Sequence, residues 1–208
     1  METSARLDKK RRAILDAAAE VFLREGYVGA SMEEIAALCA VSKPTVYKHF
    51  TNKEGLFVEV VTDMSDRTSD SVHRGPTGPI DDIAAYLEDY ATRQLKAVLT
   101  PQIMQLRRLV IAEVGRFPDL AQALWDHGPK RALAALAAEF ERLAGCGLLR
   151  VTDSSVAASQ FNWLVMGQPI NQAMLLGDKG IPSPEELRRH AVGAVDVFLA
   201  AYGVPGEA

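Results

Sequence analysis

The stretch Ser31–Lys53, SMEEIAALCAVSKPTVYKHFTNK, constrains this chain more than any other. Met32, Ile35, Ala36 and Cys39 recur at helical spacing behind Ser31, an expected N-cap, with Glu34 placed to complete a capping box. Ala40, Val41 and Ser42 form the expected turn, and Ser42 is placed to cap a second helix that runs through Pro44 to Phe50. Pro44 falls near the first helical position, where its missing N–H costs nothing. A helix this short does not stand alone in water. It needs a scaffold, and Ile35, Leu38, Val41, Val46 and Phe50 are expected to face that scaffold. Two short helices around a tight turn read as a helix-turn-helix, whose second helix enters a DNA major groove.

The helix before it is expected over Leu7–Arg24, with Ile14, Ala17, Ala18, Val21 and Phe22 on one face and residues 1–5 outside any ordered element. Gly26 suits the C′ position that ends such a helix, and Tyr27 and Val28 are expected to pack under the next one. A fourth helix, Lys53–His73, carries Leu56, Phe57, Val60, Val61 and Met64 on one side.

Ala17-Ala18 to Phe22, Glu25-Gly-Tyr27, Ser31-Met32, Ile35-Ala36, Val41-Ser-Lys43, Tyr47-Lys-His-Phe50, Asn52-Lys-Glu54 and Leu56-Phe57 stand at offsets that resemble the tetracycline-repressor (TetR) family of bacterial regulators. Further on, Arg108 to Glu113, Arg116-Phe-Pro118, Leu133 to Leu136, Ala157-Ala158 and Gln160-Phe161 resemble the C-terminal domain of its AefR-like branch. The resemblance implies an N-terminal DNA-binding domain and an all-helical C-terminal domain that binds a small molecule and dimerises. The corresponding division is 1–55 and 56–208, with Gly75–Pro79 as a break after the fourth helix.

Within the motif, the outward polar set is Lys43, Thr45, Lys48 and His49, with Tyr47 at the edge. Lys43 suits a guanine edge and Thr45 a thymine methyl. Tyr47 and Lys53 are expected on phosphates, and Ser31 can offer its N–H and hydroxyl to one because it opens a helix. The resemblance adds His49 as a phosphate contact and Pro44 as an exposed position that touches through its ring. So few groups give modest readout per half-site, so the expected target is an inverted-repeat duplex operator bound by a homodimer.

The formal net charge is −4, so the chain as a whole is not basic. Affinity for DNA follows local cations, and Arg6, Lys9, Lys10, Arg11 and Arg12 cluster near the N-terminus. Cations at a helix start oppose its dipole, which points to phosphate contact. The two cysteines, Cys39 and Cys146, lack metal-site spacing and read as small buried groups in a reducing cytosol. No run is long and apolar enough for a membrane span, and Asp16 and Glu20 break the first apolar run, so no signal peptide is read there. The expected location is cytoplasmic.

The remainder reads as helices over Ile80–Leu99, from Pro101, from Phe117 to Leu143 with an interruption at Gly128-Pro129, over Ser154–Leu176, and from Pro184 to about Tyr202. The fold class is all-α, with about nine helices. A hydrophobic effector with one polar end fits a pocket drawn from Tyr86, Tyr90, Met104, Val110, Trp125, Phe140, Asn162 and Met166. The Ser154–Leu176 helix is apolar nearly all round, as a helix buried on both sides would be. The resemblance implies that the last two helices dimerise; Phe161, Trp163, Ile170, Val195 and Phe198 are taken as that group. No nucleophile elbow, P-loop, dinucleotide glycine pattern or metal-helix motif is present, so catalytic residues, metal and cofactor are all read as none. The alternatives are a small-molecule-binding helical protein or a metal-dependent enzyme on the same scaffold, the latter with Glu113, Asp126 and His127 around the ion.

Overall fold

The computed structural model describes the backbone of residues 2–73 and 80–205, and the side chains of 8–72 and 80–205. The described residues form ten α-helices: α1 Glu2–Gly29, α2 Met32–Leu38, α3 Lys43–His49, α4 Lys53–His73, α5 Ile83–Val98, α6 Pro101–Glu113, α7 Pro118–His127, α8 Pro129–Gly145, α9 Ser154–Leu176 and α10 Pro184–Tyr202. A 3-10 turn, Gly177–Gly180, follows α9. The all-α expectation holds among these residues, and the only β pairing is an isolated bridge between Leu149 and Gly203. Gly128 alone separates α7 from α8, which the sequence reads as one interrupted helix. The Gly75–Pro79 break lies outside the described residues.

Packing groups the chain into two compact units, residues 1–66 with 105–127 and residues 67–104 with 128–208. The first unit has a core of Ile14, Ala18, Val21 and Phe22 from α1, Ile35 from α2, Val46 from α3, Leu56 and Phe57 from α4, and Leu106, Val110 and Leu120 from α6 and α7. Its aromatic rings interlock edge to face: Phe22 lies 4.9 Å from Phe57, Tyr27 lies 5.2 Å from Phe57, and Phe117 lies 4.6 Å from Tyr27. The helical period of α1 is thus legible in its burial. Its start is not: the helix reaches back to Glu2, ahead of Leu7. Its end is, because Gly26, at φ 73° and ψ 171°, breaks the helical dihedrals in a region open to glycine. One turn follows it, in which Tyr27 is buried while Val28, expected under α2, is 53% exposed.

The second unit packs Leu87, Tyr90, Ala91 and Leu95 of α5, Leu136, Phe140 and Leu143 of α8, Ala157, Phe161 and Val165 of α9, and Leu187, Ala191, Val195 and Phe198 of α10. Phe161 stands edge-on to Phe140 at 5.4 Å and to Phe198 at 5.0 Å, and Tyr202 stacks on Phe198 at 4.7 Å. Asp82 caps α5 through Ala85 N at 3.0 Å, so that helix starts at Ile83 rather than Ile80. Asp153 caps α9 through the N–H groups of Ser155 and Val156, and Ser183 and Glu186 make a complete capping box on α10. Pro169 sits inside α9, where it cannot donate to the carbonyl of Val165. The imidazole Nε2 of His190, on α10, stands 2.9 Å from that carbonyl. A carbonyl only accepts, so this nitrogen carries the proton.

Candidate nucleic-acid interface

The motif is built from the turn outward. Ser31 accepts from Glu34 N at 3.1 Å, so the expected N-cap is made. The capping box is not completed, because Glu34's carboxylate pairs with Arg24, which also holds Glu20 and Glu25. The turn is a Schellman closure: Val41 N donates to Ala36 O at 3.0 Å and Ala40 N to Ala37 O at 3.2 Å. Ala40 occupies the left-handed residue of this closure with φ 53°. Ser42 stands at the N-cap of α3 but does not cap it; its hydroxyl shares a 2.7 Å hydrogen bond with that of Thr45. Helix α3 is anchored by Val46, fully buried, and by Phe50 just beyond its end. Leu38, expected inward, is 46% exposed, since a seven-residue helix has too few turns to hide four apolar positions.

The expected DNA-facing residues then fall as follows. Lys43, Pro44, Tyr47 and Lys48 are exposed, whereas Ser31, Thr45, His49 and Lys53 are half-buried. Lys43 is not an isolated cation: it pairs with Glu33 of α2, and its ammonium lies 5.8 Å from the Tyr47 ring. Hydrogen bonding from Lys43 holds the Glu33 carboxyl below the ordinary carboxylate range, and the same bond raises Lys43. Lys53 reaches back to the end of the α1 turn, donating to Ala30 O at 3.1 Å and Val28 O at 3.3 Å, with its ammonium 4.9 Å from the Tyr27 ring. Asn52 accepts from Gly55 N at 2.7 Å and so caps α4.

The basic cluster of α1 divides in two. Lys9 and Lys10 are exposed. Arg11 pairs with Glu59 at 2.5 Å and lies over the Phe50 ring, and Arg12 pairs with Asp63 at 2.6 Å and with Asp16. These two arginines tie α1 to α4, so the expectation that the whole cluster faces phosphates is corrected for them. The side chain of Arg6 lies outside the described residues. Sequence reading missed Glu33 because its partner stands ten residues away across a turn, at no helical offset.

In the second unit a cleft of about 400 Å³ is lined by Val72, Tyr86, Tyr90, Arg93, Ala135, Ala138 and Glu139. The Tyr86 hydroxyl donates to Glu139 at 2.5 Å, and Arg142 donates to the same carboxylate at 2.6 Å and 3.0 Å. Burial pushes the Tyr90 hydroxyl well above the ordinary phenol range. Of the expected pocket residues, Tyr86 and Tyr90 meet here. Met104, Phe140 and Met166 are buried in the core of this unit, and Asn162 accepts from the buried Gln94 at 2.9 Å. Val110 belongs to the core of the first unit and Trp125 is half exposed, so neither shares this cleft. Arg93 and Glu139 were not read from sequence, because charged residues on a helical face carry no pocket signal.

The expected dimer group also divides. Phe161, Val195 and Phe198 lie in their own unit's core, with at most 1% of their surface exposed, so they have nothing to offer a partner. Ile170 is half-buried. Trp163 is 69% exposed, along with Val156, Leu175, Leu176 and Val197. Among the described residues no group of His, Cys, Asp and Glu is placed to hold a metal ion, and no helix is long and apolar enough to cross a membrane.

A short helix with polar side chains outward, locked by its apolar side to two neighbours, is the architecture of a DNA-reading helix-turn-helix joined to a second helical unit. Residues 14–60 match the family model of tetR-family bacterial regulatory proteins, and residues 85–204 match that of the AefR-like transcriptional repressor C-terminal domain. The chain belongs to the TetR family of bacterial transcriptional regulators, which bind DNA and are not enzymes. It is similar to a protein of Mesorhizobium loti MAFF303099 described as a TetR-family transcriptional regulator, with 39% identity over 96% of this chain and 99% of that one, at a TM-score of 0.90. The flavonoid-responsive regulator FrrA is 26% identical over 96% of this chain and 100% of its own, at a TM-score of 0.78. The transcriptional regulator UidR of Escherichia coli K12 is 33% identical over 127 residues, and the match spans 60% of each chain.

Proposed function

We propose that the protein is a homodimeric, effector-released repressor that binds an inverted-repeat operator in the cytoplasm. The observation that carries this reading is the set Lys43, Pro44, Tyr47 and Lys48, exposed on a seven-residue helix anchored by Val46 and Phe50. Lys43 and Thr45 meet base edges through Pro44's turn of helix; Ser31, Tyr47, Lys48, His49 and Lys53 meet phosphates. Ser31 uses its oxygen as an acceptor in capping α2 and keeps its hydroxyl proton to donate. Residues 1–55 supply this reading head, and 56–208 supply effector binding and dimerisation. The AefR-like repressor character of the matched C-terminal domain supports repression rather than activation.

Dimerisation uses Val156, Trp163, Gly167, Ile170 and Met174 on α9, which recur at spacings of seven, four, three and four, together with Val197 on α10. An exposed tryptophan in an apolar stripe is what a helix-packing interface supplies. The effector is a small, largely apolar molecule held between Tyr86 and Tyr90, with Arg93 and Glu139 fixing its polar end. FrrA, a flavonoid-responsive relative, supports an aromatic effector. Bound effector favours a conformer in which the two recognition helices no longer match half-sites about 34–36 Å apart.

A gel shift with full-length protein on the DNA upstream of its own gene tests the reading. A discrete complex of one dimer per site, weakening steeply as salt rises, is the expected result. A monomer in light scattering, or no complex at low salt on any promoter fragment, overturns it.

A further inference from the structure

Glu33 and Lys43 come from different helices and pair across the Schellman turn, with 60% and 48% of their side chains exposed. The fold does not require this pair: Met32, Ile35 and Ala36 seat α2, and Val46 seats α3. The neighbouring carboxylate, Glu34, is committed to Arg24. Glu33 is therefore the carboxylate that travels with the recognition helix's first cation, on the surface that approaches the duplex. A negative charge there repels phosphates and weakens binding to DNA of any sequence. It becomes favourable where a base presents an amine to it.

Resting on the DNA-binding reading above, we propose that Glu33 is a specificity-determining residue that reads one G·C pair jointly with Lys43. Lys43 donates to O6 and N7 of the guanine, and Glu33 accepts from the N4 amine of the paired cytosine. The donors suffice. An ammonium has three N–H groups, so one stays on Glu33 while the others turn to guanine. A carboxylate has two oxygens, so one keeps Lys43 while the other takes the cytosine amine. The pair also arrives pre-oriented, since each side chain fixes the rotamer of the other before DNA is met.

Selection from a random duplex library with full-length protein tests this. Wild type should enrich a G·C pair at one position of each half-site. In Glu33→Gln that preference should fall by about tenfold, with adenine gaining, because an amide pairs with adenine N6 and N7. Binding to random DNA should tighten, and the slope of log affinity against log salt should steepen by about one per protomer, as Lys43 is freed for phosphate. Lys43→Ala should relax the same position. A Glu33→Gln protein that melts like wild type and keeps the same preference overturns the proposal, as does relaxation of different positions by the two variants. A wild type that enriches no sequence at low salt overturns the DNA-binding reading itself, which is a separate result.

Discussion

His190 of α10 donates to the carbonyl of Val165 in α9, the acceptor that Pro169 leaves without its own helical donor. One side chain thus closes a gap in another helix's ladder. A buried carbonyl without a partner costs about 1–3 kcal/mol. His190→Ala should therefore lower stability by about 1–2 kcal/mol, or a few degrees in Tm at this chain length. Pro169→Ala restores the backbone donor, so in that background His190→Ala should cost less than about 0.5 kcal/mol. A double-mutant cycle in urea at fixed protein concentration measures the difference, and two additive penalties would show that the imidazole does not serve this carbonyl.

One substitution separates the structural role of Lys53 from its proposed phosphate contact. Its ammonium holds the carbonyls of Val28 and Ala30 and faces the Tyr27 ring. Lys53→Ala should cost about 1 kcal/mol of stability through these bonds. If its third N–H also meets a phosphate, affinity should drop across all sequences and the salt slope should flatten by about one. A lower melting temperature with an unchanged slope would leave Lys53 as a structural cap alone.

Ala40 holds a left-handed conformation that L-residues with a Cβ adopt at a cost of about 1–2 kcal/mol. Glycine removes that cost while loosening the unfolded chain by about 0.5–1 kcal/mol. Ala40→Gly should therefore stabilise by up to about 1 kcal/mol and raise Tm by about 2–4 °C, and Ala40→Val should lower it. Differential scanning calorimetry on the three proteins decides the sign.

Trp163 is exposed while its α9 neighbours Phe161 and Val165 are buried. Trp163→Glu should leave the helical content intact and convert the proposed dimer to a monomer in light scattering. It should weaken operator binding at least tenfold, since one recognition helix alone gives little affinity. A Trp163→Glu dimer of unchanged Kd would remove this face from the interface.

Much of this was legible in the chain because periodicity reports local burial. Ile14, Ala18, Val21 and Phe22 recur at helical spacing in α1 and are buried. Gly26 ends the helical run of α1 and Ser31 caps α2, where a helix end and a helix cap were expected. Periodicity fails where it has few turns or no contrast. In α2 it put Leu38 inside, and in α9, apolar on every side, it could not separate Phe161 from Trp163. It is also silent on tertiary ion pairs. Arg11 with Glu59, Arg12 with Asp63 and Lys43 with Glu33 join residues at no helical offset, so an N-terminal cluster that reads as five cations for phosphates contains two that brace the scaffold.

The ring sequence Phe140, Phe161, Phe198 and Tyr202 has a mechanical consequence. Phe161 meets Phe140 and Phe198 edge to face, so sliding α9 past α8 or α10 would force its ring out of both notches together. Phe161 therefore couples the position of α9 to both of its neighbours. A small molecule in the cleft would press on that cluster from two sides, through Ala135, Ala138 and Glu139 of α8 and through Tyr90 of α5, whose ring stands edge-on to Phe161 at 6.2 Å.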